Sequence, residues 1–495
     1  MTDHVNHFVS DDHPRTHLFG ISDPPGWVIY RTDTLEQAAC SPRVGERVKA
    51  VLSGTAGPDI LPDDVRRFVF DESSERLLDD LSETRRPATS TDHLNTLYVM
   101  PTLACQLRCA YCRIIRKQGH QAGFRLSPEA ACAAIDRFLG EKPDGVKRTV
   151  VLFGGEPLLV PETVFAAIRR VRFGPGGDYA KLMLQTNAIA IDDKTAEFLA
   201  AHDVFVLASI DGPEHIHNRH RTLANCKGSY QRTVEGYMNA RRHGCRVGIS
   251  STVTKETADW FESSFADFLD DLRPDEFGIG THLHPLSDGR SPHQCSPEQA
   301  ARIFTNAFLA ARERGIPFIQ MCQKVQPFVI GRRRRYSCAG CAGKVVVAPN
   351  GTAGLCEYNA AEGHSFVALE DFSPDTVADF SRWANRSPLE TPECLKCPAL
   401  AICGGGCAYD SQMIMGDALR FDPWFCDTNV LVAHWMMRDL LAHSRDSLGD
   451  RDFHLITRRE RAAILGRIPV EDQDALPPGD CTCEECVCTG ECPAG

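Results

Sequence analysis

The sequence predicts an α/β protein built from a partial (β/α)6 TIM-type barrel, a C-terminal Cys-rich domain and a small N-terminal α+β module. Two observations carry this prediction. Between residues 95 and 285, six short apolar runs alternate with amphipathic helical segments, which is typical of a parallel sheet. Eight of the 22 cysteines fall within residues 338–426, in a turn-rich stretch that cannot build much apolar core and that we expect to need metal to fold.

The barrel strands are predicted from six runs: TLYVM, RTVVLFG, AKLMLQTN, VFVLASID, RVGISSTVT and EFGIGTHLH. Helices between them are predicted from SPEAACAAIDRFLG, which opens on a Ser-Pro cap, and from PETVFAAIRRVR and DKTAEFLAAH. About six β/α units are too few for a full eightfold barrel, so we expect a partial one.

The predicted units are a module at 1–90, the barrel at 95–300, a helical linker at 301–336, the Cys-rich domain at 337–430, helices at 431–470 and a Cys-rich tail at 471–495. Within the first unit, GWVIYR and RRFVF are predicted to be extended and ERVKAVLSG helical. The polar segment 82–93, interrupted by Pro87, is predicted to be a linker.

Composition narrows the function classes. The chain has 495 residues, 43% hydrophobic and 24% charged, with a net charge of −12, which is typical of globular proteins and argues against a general nucleic-acid binder. The N-terminus lacks a secretory signal, and no run of eighteen apolar residues predicts a membrane span. We therefore expect a soluble cytoplasmic protein without nucleic-acid or membrane partners.

Cysteine usage points to metal ligation, because the cytosol keeps thiols reduced and disulfides are rare there. Three cysteines lie at 105–112, eight at 338–426 and five in the last fifteen residues. The other six are scattered and are interpreted as small buried residues: Cys40, Cys132, Cys226, Cys245, Cys295 and Cys322.

The first cluster has the spacing C-x3-C-x2-C, formed by Cys105, Cys109 and Cys112. These positions share one face of a helix, so buried packing is an alternative interpretation. The trio instead follows a predicted strand and Pro101, where the chain leaves the carboxyl end of the first barrel strand. Barrels place their chemistry on that face, and three thiolates suit a small polynuclear iron site.

With Tyr111 before its last cysteine, this motif resembles the signature of radical S-adenosylmethionine (SAM) enzymes. FGGEP (153–157) resembles their GGEP motif, LQTNA (184–188) their QTN element, and SIDGPEHIHNRHR (209–221) the SxDGP…R stretch of sulfatase maturases. The resemblance implies these SAM-binding residues: Tyr111, Gly154, Gly155, Glu156, Pro157, Thr186, Asn187, Ser209, Asp211 and Arg221.

Each motif also has a physical interpretation. Gly154 and Gly155 let the backbone approach a ligand closely. Glu156 can accept hydrogen bonds from an ammonium group, and Arg221 can hold a carboxylate in a bidentate manner. Taken singly, the same residues are more often turn residues or solvated side chains; their order, each at a predicted strand end, favours the site.

The second cluster resembles the SPASM iron–sulfur extension of peptide-modifying radical SAM enzymes, which carries two further [4Fe–4S] clusters. The resemblance implies one cluster on Cys338, Cys341, Cys356 and Cys407. It implies another on Cys394, Cys397, Cys403 and Cys426. A zinc ribbon is the alternative for residues 394–407.

Together these resemblances imply three [4Fe–4S] clusters, one of them binding SAM through an open iron. Such an enzyme cleaves SAM reductively to a 5′-deoxyadenosyl radical, which abstracts hydrogen from a peptide or protein side chain and gives oxidation or cross-linking. An external electron donor such as flavodoxin or ferredoxin is implied. The alternatives are a sulfatase-maturase-type, formylglycine-forming dehydrogenase and a non-catalytic iron–sulfur scaffold.

Glu357 is the candidate catalytic base. Sulfatase maturases carry an Asp directly after the GX4C cysteine, and Glu357 follows Cys356 in GLCEYN. The change from Asp to Glu weakens the case for formylglycine formation. A structural or solvated acid is the alternative role.

Three further segments bear on partners. Residues 1–90 are interpreted either as a peptide-recognition module or as a packing cap on the barrel. The arginines of GRRRRY (331–336) are interpreted as a solvated loop, with binding of an acidic leader peptide as the alternative. The tail cysteines are candidates for metal binding, redox chemistry, a substrate-like segment in cis or plain disorder: Cys481, Cys483, Cys486, Cys488 and Cys492.

Overall fold

The computed structural model describes seven stretches of the chain: residues 5–23, 25–70, 94–140, 148–285, 289–331, 333–341 and 343–468. The linker predicted at 82–93 and the tail cysteines at 481–492 lie outside the described residues.

The described strands form two sheets. The smaller sheet contains, in order across it, β1 (Val5–Val9), β2 (Thr16–Ser22), β3 (Pro25–Arg31), β4 (Gln37–Cys40) and β14 (Phe453–Leu455). The larger sheet contains β5 (Thr96–Val99), β6 (Arg148–Leu152), β7 (Ala180–Thr186), β8 (Phe205–Ser209), β9 (Val247–Thr252), β10 (Glu276–Gly280), β11 (Lys344–Val347), β12 (Thr352–Gly354) and β13 (Val367–Ala368).

The helices up to the last barrel strand are α1 (Pro42–Leu52), α2 (Asp63–Phe70), α3 (Arg113–Lys117), α4 (Pro128–Gly140), α5 (Pro161–Phe173), α6 (Asp193–Ala201), α7 (Glu214–His220), α8 (Tyr230–Arg242) and α9 (Ala258–Leu272). Those after it are α10 (Pro297–Arg314), α11 (Ile319–Ile330), α12 (Glu357–Glu362), α13 (Phe380–Ala384), α14 (Pro392–Leu395), α15 (Leu400–Cys403), α16 (Ala408–Met415), α17 (Pro423–Leu448) and α18 (Arg458–Ala462).

The six strands β5 to β10 form the predicted partial barrel. They stand side by side in chain order, and every neighbouring pair is parallel. Each strand lies within the apolar run that predicted it, so the predicted (β/α)6 partial barrel is confirmed. Because the strands are parallel, their carboxyl ends meet along one edge, and the loops that follow them are neighbours.

Helix starts in the barrel follow local capping signals. Before α4, the Ser127 hydroxyl accepts a hydrogen bond from the Ala130 N–H at 3.2 Å. Before α6, the Asp192 carboxylate accepts one from the Thr195 N–H at 2.8 Å. Such caps satisfy N–H groups that have no partner inside the helix, and they fix where each helix begins.

The Cys-rich region is joined to the barrel sheet, which the sequence did not predict. Strand β11 pairs with β5 in parallel, with Val345 opposite Leu97, and β12 and β13 extend the sheet in antiparallel pairs. The strand that opens the Cys-rich region therefore lies directly beside the strand that leads to the first cysteine cluster.

The N-terminal sheet is closed by a distant part of the chain. Strand β14 pairs with β4 in antiparallel register, with His454 opposite Ala39. At the end of β14, the Ile456 N–H donates to the Gln37 carbonyl at 2.9 Å. Residues 453–456 are therefore part of the unit that was predicted to end at residue 90.

One local prediction in this unit is wrong. The segment RRFVF, predicted to be extended, forms the last five residues of helix α2. The helix opens on Asp63 and Asp64, whose charges are favourable at a helix N-terminus. Val65 and Val69, four residues apart, form its buried face. The helical spacing of the valines therefore outweighs the local run of β-favouring residues.

Among the described helices, none combines the length and the apolar character that crossing a membrane requires.

Three partly or fully buried histidines join the N-terminal sheet to the long helix α17. The His7 and His17 rings stack with centroids 5.2 Å apart, and His434 lies 5.3 Å from His7. Burial lowers the pKa of His17 to about 3 and the pKa values of His7 and His434 to about 4. All three rings are therefore neutral in the folded protein near pH 7.

This cluster predicts a loss of stability in acid. Because the folded-state pKa values lie below the unfolded value of about 6.5, the unfolded chain binds more protons between pH 6.5 and pH 4. The stability that the neutral rings contribute is complete above pH 6.5 and is lost as the pH falls towards 4, by on the order of 3 kcal/mol for each histidine. Urea unfolding of wild type and His434→Phe across this range checks it; parallel pH profiles would contradict the prediction.

Candidate functional site

The loop after β5 carries the first three cysteines along the carboxyl edge of the barrel. It is fixed to the end of α7 and to the chain that follows, because the Ala110 N–H donates to the His220 carbonyl at 3.1 Å and the Arg108 N–H donates to the Thr222 carbonyl at 2.7 Å. Cys105, Cys109 and Cys112 all lie in this loop, which ends where α3 begins.

The three thiols are free and affect one another's pKa values. None of them is in a disulfide. Burial raises the pKa of Cys105 to about 11 and that of Cys109 to about 12, and the neighbouring thiols Cys105 and Cys112 add to the rise at Cys109. Three converging thiols that resist ionisation on their own suit a cationic iron centre, which stabilises thiolates.

The GGEP segment packs against this cysteine loop. The Gly155 N–H donates to the Thr102 carbonyl at 2.9 Å, and the Glu156 N–H donates to the Ala104 carbonyl at 2.8 Å. A Cβ atom on Gly155 would lie 2.2 Å from the carbonyl oxygens of Leu103 and Ala104. A glycine is therefore needed here, because the chain that follows β6 packs directly against the backbone of the cysteine loop.

Glu156 connects the ends of β6 and β7. Its buried carboxylate accepts hydrogen bonds from the Thr186 hydroxyl at 2.7 Å and from the Asn187 N–H at 2.8 Å. Burial raises the pKa of Glu156. The Asn187 amide in turn donates to the Cys105 sulfur at 3.7 Å. Thus the two motifs predicted to bind SAM form one network that reaches the first cysteine.

Asp211 forms a second network on the other side of the loop. Its carboxylate accepts hydrogen bonds from the Tyr111 hydroxyl, from Arg221 Nε at 2.8 Å and from the Thr252 N–H at 2.8 Å. Arg221 also donates to the Cys109 sulfur at 4.0 Å. Burial raises the pKa of Tyr111 well above its usual range, so the phenol stays protonated and donates.

For the remaining residues predicted to bind SAM, the structure shows backbone positions at the edge of the barrel. Gly154 has a φ of 144°, and its Cβ would lie 2.4 Å from the Thr102 carbonyl oxygen. Pro157 opens a short 3-10 turn after Glu156. Ser209 is the last residue of β8 and pairs with Ser250 of β9. These residues lie at the same edge as the cysteines.

Within each predicted auxiliary set, the cysteines affect one another's pKa values. In the first set, the pKa of Cys407 is raised well above its usual range by burial and, among other charges, by Cys338 and Cys356, while Cys338 acts on Cys341 in the same way. In the second set, burial raises the pKa of Cys426 to about 12, and three thiols add to this rise: Cys403, Cys394 and Cys397. All eight thiols are free.

Glu357 lies in a buried ion pair. Its carboxylate contacts the Lys344 ammonium, and the two side chains are 15% and 4% exposed. Burial alone would raise the pKa of Glu357, but the Lys344 charge and hydrogen bond, together with a backbone hydrogen bond and the His284 charge, bring its pKa below the usual value. The carboxylate predicted to act as a base is thus already neutralised by a partner on β11.

A cluster that sequence analysis missed lies just beyond β10. Buried Asp410 accepts hydrogen bonds from His282 Nε2 at 2.5 Å and from His284 Nδ1 at 2.8 Å. Ligand atoms of His284, Cys407 and Asp410 lie within 4.8 Å of one another. Despite burial, the two imidazoles hold the pKa of Asp410 far below its usual range.

The sequence contained one signal for this cluster. The two histidines alternate in THLH directly after the sixth strand, which places both beyond a barrel strand end. Asp410 lies more than a hundred residues further on, in α16, and no spacing rule connects it to them. Its N–H donates to the Cys407 sulfur at 3.5 Å, so the cluster adjoins the first auxiliary set.

The GRRRRY segment differs from its predicted solvated loop. Arg333 is 8% exposed, and its guanidinium donates to the carbonyls of Thr32 and Asp33 in the loop after β3. Arg334 donates to the Ser337 carbonyl at 2.9 Å. Among the described arginines of this segment, these two therefore bind backbone carbonyls of the chain itself.

Residues 99–268 match the family model described as the Radical SAM superfamily. The chain is 20% identical to "Radical SAM cyclopropyl synthase TigE" of Paramaledivibacter caminithermalis, over 68% of this chain and 72% of that protein. It is 24% identical to the "Serine-type anaerobic sulfatase-maturating enzyme" of Bacteroides thetaiotaomicron, over 63% of this chain and 82% of that protein.

Two solved structures share the fold. "Native anSMEcpe with bound AdoMet and Kp18Cys peptide" superposes with a TM-score of 0.59 at 18% identity, covering 71% of this chain and 99% of that one. Streptococcus suis SuiB bound to precursor peptide SuiA superposes with a TM-score of 0.52 at 12% identity, covering 86% of this chain and 98% of that one.

Proposed function

We propose that the chain is a radical SAM enzyme, with the domain of that superfamily at residues 99–268, and that it matures peptides or proteins. The proposed reaction abstracts hydrogen from a side chain and leads to its oxidation or cross-linking. The observation that carries the proposal is the meeting of three free thiols with the Glu156 and Asp211 networks at one edge of the barrel.

A [4Fe–4S] cluster held here would, once reduced and in the presence of SAM, supply a 5′-deoxyadenosyl radical. Cys105, Cys109 and Cys112 would hold this cluster, and the donor set fits because three free thiols lie in one short loop and act on one another electrostatically. An external donor such as flavodoxin or ferredoxin would supply the electron.

The protein's own residues would orient the cofactor and the cysteines. Glu156 fixes Asn187, whose amide donates to the Cys105 sulfur. Asp211 fixes Arg221, whose guanidinium reaches the Cys109 sulfur and favours its thiolate form. Because both carboxylates are buried, these contacts are held rigidly in place before any ligand binds.

The solved structures of similar fold favour a peptide or protein substrate. The similar structures were solved with the Kp18Cys peptide and with precursor peptide SuiA. The SuiB likeness covers 86% of this chain, against 71% for anSMEcpe.

We propose in addition that the two auxiliary sets of cysteines each hold a [4Fe–4S] cluster. Their spacing in the sequence and the mutual effects of the thiols on their pKa values favour this proposal.

Oxidation of a side chain also needs a group that accepts a proton, and the site offers two candidates. Glu357 keeps its place as one candidate, although Lys344 lowers its basicity. His284 is the other: Asp410 holds its Nδ1, while Nε2 has no hydrogen-bond partner among the described residues. A carboxylate–imidazole pair of this kind is typical of general bases.

The full-length, anaerobically reconstituted protein, given SAM and dithionite, is expected to form 5′-deoxyadenosine. Addition of a peptide that is a substrate should increase the yield of 5′-deoxyadenosine and change the mass of that peptide. Chromatography of the nucleoside and mass spectrometry of peptides encoded beside the gene, with the Kp18Cys peptide in parallel, measure both.

The outcomes separate the alternatives. Conversion of Kp18Cys would favour the formylglycine-forming dehydrogenase, whereas conversion of a neighbouring peptide alone would favour peptide maturation. A protein that binds iron but makes no more 5′-deoxyadenosine than its boiled control would be a non-catalytic scaffold.

A further inference from the structure

Two buried cations lie among the eight auxiliary cysteines without an acidic partner. Arg386 is 2% exposed and Lys324 is 6% exposed. Across the described residues, neither side chain has a carboxylate within 4.0 Å; the ion pairs found elsewhere do not include them. A buried charge without a counter-charge is costly, so such a residue indicates an anion that the protein chain itself does not provide.

Arg386 is enclosed by the loop that links two of the cysteines. Its guanidinium donates to the carbonyls of Gly406 at 3.1 Å and Ala418 at 2.6 Å and to the Ser411 hydroxyl at 2.9 Å. Every one of these acceptors is neutral, so the guanidinium keeps its full charge. The hydrogen bonds fix the position of the charge and leave it uncompensated.

The triple glycine between Cys403 and Cys407 makes this enclosure possible. All three glycines have positive φ values, from 61° to 80°. A Cβ atom on Gly405 would lie 2.8 Å from Arg386 NH1, while the Gly405 N–H donates to the Cys403 sulfur at 3.3 Å. The guanidinium is therefore held against a loop whose two ends belong to different predicted clusters.

Lys324 is the second buried cation without a carboxylate partner. It extends from α11, and its ammonium donates to the Asn429 side chain of α17 and lies 5.5 Å from the centre of the Phe425 ring. Phe425 directly precedes Cys426. Burial and the Arg334 charge lower the pKa of Lys324 to about 7, and burial lowers that of Arg386; the Cys403 thiol acts in the opposite direction on both.

Near the first cysteine cluster and the first auxiliary set, by contrast, two cations have carboxylate partners. Arg221, which reaches Cys109, is paired with Asp211. Lys344, which lies near Cys338 and Cys356, is paired with Glu357. Arg386 acts on both auxiliary sets, on Cys341 and Cys407 as well as on Cys403 and Cys426, whereas Lys324 acts on Cys403 of the second set.

We propose that Arg386 and Lys324 are the counter-ions of anionic iron–sulfur clusters in the Cys-rich domain, and that Lys324 raises the reduction potential of the cluster held by Cys394, Cys397, Cys403 and Cys426. The inference rests on the proposed auxiliary clusters. An all-cysteine [4Fe–4S] cluster is an anion that gains one more negative charge on reduction, so a nearby fixed cation favours the reduced form. The cluster flanked by Lys324 and Arg386 would accept electrons more readily than the others.

Lys324→Met tests this proposal, because it removes the charge and keeps an apolar chain of similar length. In anaerobic potentiometric titration followed by electron paramagnetic resonance, one cluster is expected to become at least about tenfold harder to reduce, a shift of about 59 mV for one electron. Lys396→Met is the matched control. It makes the same charge change next to Cys397, but its side chain is 47% exposed and paired with Asp11, so the solvent screens it.

The possible outcomes decide between the parts of the proposal. Equal midpoints for Lys324→Met and Lys396→Met, with about twelve irons bound, would overturn the tuning role and leave the clusters intact. About four irons in wild type would overturn the auxiliary clusters themselves. Iron loss in Arg386→Met that Arg386→Lys restores would support the counter-ion role, whereas loss in both variants would show that the guanidinium's hydrogen bonds are structural.

Discussion

A variant with Cys105, Cys109 and Cys112 all replaced by alanine is expected to make no 5′-deoxyadenosine from SAM and dithionite. The three thiols are the free sulfurs of the loop between β5 and α3, and without them no iron is held at the carboxyl edge of the barrel. Its iron content should fall from about twelve to about eight per chain, because the two auxiliary sets keep their ligands. Iron assay and nucleoside chromatography measure the two quantities.

The matched control replaces three cysteines that are predicted not to be ligands: Cys132, Cys226 and Cys322. The sequence predicts small buried residues at these positions, but all three are at least partly exposed, so small substitutions there should leave both readouts at the wild-type level. Undiminished 5′-deoxyadenosine in the first variant would reject the site. A drop to about four irons would show instead that the auxiliary clusters depend on the first one.

The parts of the fold that follow from local patterns were predictable from the sequence. Each barrel strand is a short apolar run between capping or turn residues, and β-branched runs such as RTVVL favour the strand conformation. RRFVF was not predictable from its own residues, because the helix that contains it begins three residues earlier at Asp63. The pairing of β11 with β5 and of β14 with β4 joins residues hundreds of positions apart.

The same distinction between local sequence patterns and distant contacts applies to the candidate site. Its cysteines and its GGEP, QTN and SxDGP segments are continuous motifs, so their positions were readable from the sequence. Contacts between distant residues were not: no spacing indicated that Lys344 would pair with Glu357, or that Asp410 would hold His282 and His284. Charge balance in a buried site depends on which side chains fold together, and a one-dimensional pattern does not contain that information.

The second large expected effect concerns the buried pair of Lys344 and Glu357. Glu357→Gln is expected to lower the free energy of unfolding by about 3–5 kcal/mol, because it leaves the Lys344 ammonium buried without a counter-charge. Lys344 is fully enclosed, with its ammonium 4.7 Å from the centre of the Tyr98 ring. Chemical denaturation of the reconstituted protein measures the loss.

Glu357→Gln/Lys344→Met is the matched variant that separates stability from catalysis. Removing both charges should restore most of the stability, since no unpaired charge is left in the interior. If the carboxylate only balances Lys344, peptide conversion per folded enzyme should recover in the double variant. His284→Gln, which leaves this ion pair intact, should then be the variant that lowers conversion, by about 10²–10⁴-fold, while 5′-deoxyadenosine still forms. If the double variant is stable but converts no peptide, Glu357 is the base that the sequence predicted, and the imidazole held by Asp410 has another role.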